Sequence, residues 1–277
     1  MGTSCGFKRR PPKYNKIFQA EAWDSGIRYL LKIIAIVFAL YPSFPVLSFA
    51  ASIASASAFP TGERLVFDLS WYGVSGGTTV MEVSDAIEKD RPVFNIVSTT
   101  KSNRILSVLY PVYDVIESYV DKKSFYPYRY RSIQQEGKYK SDKEIIFDRK
   151  KNIATFINHK KGGETHNSVI AAGAQDPLSV VYYFRTLPLE IGKDINIEVH
   201  DGNKNWTLVV KILKKERVTT PAGSFNTIKV KALMRYEGLF VNTGDVIVWF
   251  TDDTDRIPVM MESKIKIGRV TATLIKK

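Results

Sequence analysis

The chain has 277 residues, carries 40 Lys and Arg against 28 Asp and Glu for a formal net charge of +12, and holds one cysteine. A single thiol, Cys5, rules out a disulfide scaffold and a Cys-ligated metal. Past residue 58 the cations are spread along the chain rather than clustered, which argues against a nucleic-acid interface.

Residues 1–58 read as a leader. Lys8, Arg9, Arg10, Lys13, Lys16 and Arg28 precede an apolar run, Tyr29 to Leu40, broken by Lys32, and the segment ends in the small-residue tail SFAASIASASA. A basic start, an apolar centre and A-x-A endings are the parts of a secretory signal. The run is short for a membrane span of about 20 apolar residues, so removal is expected, with an uncleaved anchor as the alternative. Cys5 lies before the run, where a lipoprotein cysteine would not stand. Residues 59–277 keep 33 Lys and Arg against 26 Asp and Glu. With no low-complexity linker among them, they are expected to form a single exported β domain.

Gly62 to Val83 (GERLVFDLSWYGVSGGTTVMEV) sets the pattern for the rest. Leu65, Phe67, Leu69 and Trp71 alternate with Arg64, Val66, Asp68 and Ser70, the period of a half-buried strand. Gly73, Gly76 and Gly77 interrupt it and Thr78, Val80 and Glu82 resume it, which predicts a hairpin. Strands are predicted over 92–100, 113–120, 126–135, 138–148 and 152–159, with a short helical crossing over 102–109 and a polar loop at 160–166. Asp176-Pro177 starts a helix, Asp as N-cap and Pro in the first turn, that stops before Pro188. Strands return at 194–200, 206–213, 225–236, 245–251, 258–267 and 270–275, with turns at Asp201-Gly202, Thr220 to Gly223 and Asn242-Thr243-Gly244. The fold class is mainly β: a large antiparallel sheet curved into a half-barrel, or closed as a sandwich or barrel, with two short helices.

Four segments carry a resemblance: Gly62-Glu63-Arg64-Leu65 with Trp71 and Gly73; Asp176-Pro177-Leu178-Ser179 with Tyr182, Tyr183 and Arg185; Val218 to Phe225 (VTTPAGSF) with Thr227; and Trp249 to Val259 (WFTDDTDRIPV). In this order and spacing the chain resembles a bacterial family of exported proteins catalogued only as a domain of unknown function. The resemblance implies a β-rich envelope protein and transfers no catalytic residue. In architecture alone it is similar to envelope proteins whose curved sheet holds a lipid or a lipoprotein chain.

Gly73-Val74-Ser75-Gly76-Gly77 matches G-x-S-x-G, but a nucleophile elbow needs a helix after the serine, and Thr78, Thr79, Val80 and Val83 read as strand. Asp252, Asp253 and Asp255 are oxygen-rich, yet the loop lacks the Gly and distal Glu of a calcium loop and reads as an Asx-type turn. His159, His166 and His200 have no metal-ligand spacing. Glu63 falls in the buried-face register and is expected to pair with a Lys or Arg. No metal and no cofactor is expected. Trp71, Tyr128, Tyr130, Trp206 and Trp249 are the candidate ligand-binding residues, because aromatics beyond the needs of one core face line either a second layer or a groove.

The expected function is that of an exported, periplasmic, non-enzymatic protein that binds or escorts an envelope component, an apolar or lipid ligand first. The alternative is a structural protein docking on an envelope protein partner. A hydrolase using Ser75 or the Asp252 cluster is the third reading. Membrane contact is expected only through a retained leader, and nucleic acid is not expected as a partner.

Overall fold

The computed structural model of the protein describes residues 61–202, 204–236, 239–240, 246–265 and 268–277. The leader at 1–58 and the turn expected at Asn242-Thr243-Gly244 lie outside them.

β1 (Arg64–Trp71) and β2 (Val74–Glu88) form the hairpin read from the alternation. Tyr72 and Gly73, at φ 49° and 79°, make the turn. Two successive positive φ values match the right-handed twist of the flanking strands. The chain continues through β3 (Arg91–Ser102), α1 (Arg104–Leu109), β4 (Tyr113–Asp121), β5 (Pro127–Glu136), β6 (Tyr139–Asp148), β7 (Ile153–Asn158) and β8 (Glu164–Val169). Then come α2 (Ser179–Arg185), β9 (Asp194–His200), β10 (Asn205–Thr220), β11 (Gly223–Tyr236), β12 (Leu239–Phe240), β13 (Val246–Thr251), β14 (Pro258–Ile265) and β15 (Gly268–Lys276).

All the strands join one antiparallel sheet in the order β8-β7-β6-β5-β4-β3-β2-β1-β15-β14-β13-β11-β10-β9, with β12 beside β11. The two end strands do not pair with each other; the seam between them is bridged. Asn205 Nδ2 donates to the Val169 carbonyl and His166 Nε2 to the Gly202 carbonyl, both at 2.7 Å. Gln175 lies along β9, its N–H donating to Glu198 and its carbonyl accepting from His200, both at 2.8 Å. The sheet is therefore curled far enough for its ends to meet through loop and side-chain bonds.

Two boundaries differ from expectation. The stretch Glu164–Val169, half of it expected in a polar loop, pairs with β7 along its length. Its side chains are almost all exposed, so no apolar alternation marks it. β10 runs on to Thr220 because a bulge at Leu213 shifts its phase, and Lys214, Lys215, Glu216 and Arg217 mask the continuation.

α2 lies within the curl. Five of its seven residues are buried: Ser179, Val180, Tyr182, Phe184 and Arg185. Tyr182 joins a cluster with Leu65, Phe67, Ile96, Ile145 and Leu274. Val180 and Phe184 join a second with Ile212, Val230, Val248 and Phe250. A helix buried nearly all round is a core element. The helix begins at Ser179 with Leu178 at its N-cap, later than expected; Asp176 makes the turn that leads into it, its Oδ1 accepting from the Leu178 and Ser179 N–H groups at 2.7 Å. Arg185 ends it, its guanidinium held by Glu63 just before β1 and by the Asp255 carbonyl between β13 and β14.

Candidate functional site

Register divides the inner face of β2–β6 into layers. Val83, Ile96, Ser118, Tyr130 and Ile145 lie opposite one another across the strands, next to α2. One layer toward the β1–β2 turn stand Met81, Ser98, Ile116 and Ser132, and one further Thr79, Thr100 and Asp114. The face thus changes from apolar to polar toward that end. Asp114 and Glu136 are buried there; Gln134 Nε2 donates to Glu136 at 3.1 Å and the Gln135 N–H to Asp114 at 2.9 Å. Burial raises the Asp114 carboxyl above its ordinary value, against its hydrogen bonds with the Gln135 N–H and with Glu136.

The rim above this polar floor is apolar and exposed. Asn103 caps α1, accepting from the Leu106 N–H at 2.8 Å, and pins the helix to β2 by donating from Nδ2 to the Ser75 carbonyl at 2.7 Å. Leu106 reaches Gly76, where a Cβ would stand 3.3 Å from it. With six residues and no buried side chain, α1 leaves Ile105, Val108 and Leu109 at 81%, 82% and 83% exposure. Beside it the hairpin turn exposes Tyr72, Val74 and, partly, Trp71, whose ring leans on that of Tyr72 at 5.4 Å. Gly137, in the β5–β6 turn, sits under the Tyr110 ring and extends the same rim.

Of the candidate aromatics, Tyr130 and Trp249 lie in the first core cluster and Trp206 in the second. Trp71 stands on the rim. Tyr128 sits at the opposite end, its hydroxyl donating to Asp121 at 3.1 Å and Arg91 over its ring at 4.8 Å. There it lines a hollow of about 50 Å³ with Glu88, Arg91 and Phe147. Tyr128 is itself the extra residue of a β5 bulge opposite Tyr119 and Val120, which puts it out of phase with Tyr130. The five side chains do not converge. Trp249, out of phase with Val248 and Phe250, belongs to the first cluster while Val248 and Phe250 belong to the second, so β13 is buried on both faces. Its Nε1 donates to Glu216 at 2.7 Å.

Ser75 lies on a strand and its hydroxyl donates to Asp68. Asp253 accepts from Thr251 Oγ1 and from the Asp255 and Arg256 N–H groups, the bonding of an Asx turn, while Asp252 pairs with Lys215 at 2.7 Å. Among the described residues no three His, Asp, Glu or Cys side chains group as metal ligands. The residues that sequence reasoning missed are those of α1. Their signal is an apolar stretch, RILSVL, too short to bury a face and bounded by Pro111.

No protein of curated function matches the chain. Its fold is similar to that of the beta-barrel-like protein of domain of unknown function DUF1849 from Brucella abortus, with a TM-score of 0.50 at 11% identity over 77% of this chain and 95% of that one. A Parabacteroides distasonis protein and one with a YmcC-like fold from Bacteroides fragilis also match, each at a TM-score of 0.32. These cover 78% of this chain and 95% of theirs, at 13% and 14% identity. A family model described as a protein of unknown function, DUF3108, matches residues 66–275, and the chain belongs to that family.

Proposed function

We propose that the protein is an exported, non-enzymatic component of the cell envelope that binds another envelope component at the rim formed by α1 and the β1–β2 turn. The observation that carries this is the exposure of Tyr72, Val74, Ile105, Val108 and Leu109 on two adjoining segments. Folded chains seldom leave apolar side chains contiguous in water unless something covers them. A ligand enclosed within the sheet is the weaker form of the same reading, because α2 and its two clusters occupy the concavity next to it. Escort of a lipid by this protein would then proceed from the rim.

Hydroxyl-radical footprinting in the protein's own envelope, set against the purified protein, tests the proposal. Trp71, Tyr72 and Leu109 should be protected in the envelope. Ile87, 76% exposed at the far end of β2, should react equally in both and serves as the control. Equal labelling of the rim in the two samples would sink the reading.

A further inference from the structure

We infer that the rim docks on the headgroup region of an anionic lipid bilayer, a membrane contact separate from the leader; this rests on the rim being the working surface. The rim carries both parts of a lipid interface. Its apolar part is Trp71, Tyr72, Val74, Ile105, Val108 and Leu109, and Trp and Tyr are the residues that settle at headgroup depth, ring in the acyl boundary and polar edge in water.

Its charged part is cationic apart from Asp68, which accepts from the Ser75 hydroxyl. Residues 71–76, 101–113 and 137–140 supply Lys101, Arg104, Lys138 and Lys140 and contain no Asp or Glu. None of these four cations pairs with a carboxylate among the described residues, although ion pairs are frequent elsewhere on the sheet. Lys101 instead lies 4.9 Å from the Tyr113 ring, itself 44% exposed, a cation held against an aromatic face at the edge of the patch. Cations left without counter-charges beside a protruding apolar surface suit a partner that presents anions over hydrocarbon.

The structure also fixes how the patch is presented. α1 is held by hydrogen bonds from Asn103 to Ser75 and Gly76 and by Ser107 Oγ within 2.7 Å of Ser102 Oγ. Ile105, Val108 and Leu109 take no part in that anchoring, so they stay free to enter a bilayer without unfolding the helix.

The test uses protein purified from its own envelope and vesicles of phosphatidylethanolamine with phosphatidylglycerol, their acyl chains brominated to quench tryptophan. Trp71 is the reporter, and a Trp71→Phe variant subtracts Trp23, Trp206 and Trp249. Quenching of Trp71 by the anionic vesicles is expected, with little by phosphatidylcholine alone. The pair Ile105→Asp and Leu109→Asp should abolish it while leaving the fold intact, since both positions are solvent-exposed. Lys101→Ala or Arg104→Ala should each weaken binding about fivefold at low salt. Unquenched Trp71 overturns the inference, as does undiminished quenching in the Asp variants. If envelope footprinting protects the rim and vesicles do not quench Trp71, the rim is a working surface and its partner is a protein. A concentration-dependent dimer lost in the same Asp variants assigns the rim to a second copy. Either result overturns the lipid assignment without touching the docking proposal.

Discussion

Arg185 and Glu63, 122 positions apart, form a bidentate pair at 2.7 and 2.6 Å with both side chains almost wholly buried, at 1% and 5% exposure. The guanidinium also donates from Nε to the Asp255 carbonyl at 3.0 Å, and Arg256 Nη1 returns to the Arg185 carbonyl at 3.1 Å. Three of the four segments that carry the family resemblance therefore meet at one point. The pair ties the end of α2 to the start of β1 and to the β13–β14 connection.

Removing one partner leaves the other charge buried without compensation. Arg185→Met or Glu63→Leu should each lower unfolding stability by about 3–5 kcal/mol. The double variant Glu63→Leu with Arg185→Met should lose less than the sum, because both charges go together. Urea midpoints of the four proteins check this; strict additivity would show that the two side chains do not interact.

The glycines of the first hairpin separate two kinds of constraint. Gly73 has φ 79°, and a Cβ added there would have nothing within 4 Å of it, so Gly73→Ala meets backbone strain alone, about 1–2 kcal/mol. A Cβ on Gly77 would lie 2.3 Å from the Lys101 carbonyl oxygen, which belongs to the neighbouring strand. Gly77→Ala must push β2 and β3 apart, and the loss should exceed that of Gly73→Ala. Thermal unfolding of the two variants ranks them; the reverse order would mean that β3 yields freely at Lys101.

These elements show what the sequence made legible. Alternation gave the first hairpin, and the Asp176-Pro177 pair gave the turn that leads into α2, because both signals are local. The partner of Glu63 was legible only as a class of residue, since nothing local points from Glu63 to Arg185. The aromatic candidates failed to converge for a related reason. Strand phase predicts a shared face only between bulges, and the bulges at Leu213 and Tyr128 reset it. Of the rim only Trp71 was anticipated; the part of α1 was missed because that helix is defined by what it does not bury, which depends on what its neighbours leave uncovered.

Two buried titrating groups should give opposed pH dependences. Burial lifts Asp176 from its usual 3.8 to about 6, against hydrogen bonds from Ser118, Ser179 and Leu178. Below about pH 4 both states are protonated and the group contributes nothing. As pH rises toward 6 the unfolded chain ionises first, so stability falls, by on the order of 3 kcal/mol once complete. His200 is displaced downward by burial, with its Nδ1 2.9 Å from Asn205 Oδ1. Its unfolded form takes up a proton first as pH drops below 6.5, so its contribution is lost with falling pH. Asp176→Asn should remove the loss on raising pH from about 4 to about 7, and His200→Gln the loss on lowering it below 6.5. Urea midpoints across this range decide; an unchanged profile in Asp176→Asn would place that carboxyl near its ordinary value when folded.

The tryptophans test whether the candidate aromatics belong to the core or to a surface. Trp206 and Trp249 are buried to 4% and 5% exposure, so Trp206→Ala and Trp249→Ala should each cost about 3–5 kcal/mol. Trp249→Ala also deprives Glu216 of a donor, though Lys214 at 2.6 Å and Lys229 remain on that carboxylate and keep it below its ordinary value, so most of the loss is packing. Trp71, at 36% exposure on the rim, belongs to neither core cluster. Trp71→Ala should change stability by no more than about 0.5 kcal/mol, the usual range for a surface position. It should nevertheless release the protein from its envelope, measured as the share of protein recovered in the soluble fraction. A Trp71→Ala variant as unstable as Trp249→Ala would make the rim part of the core, and the docking surface would lose its exposed aromatic.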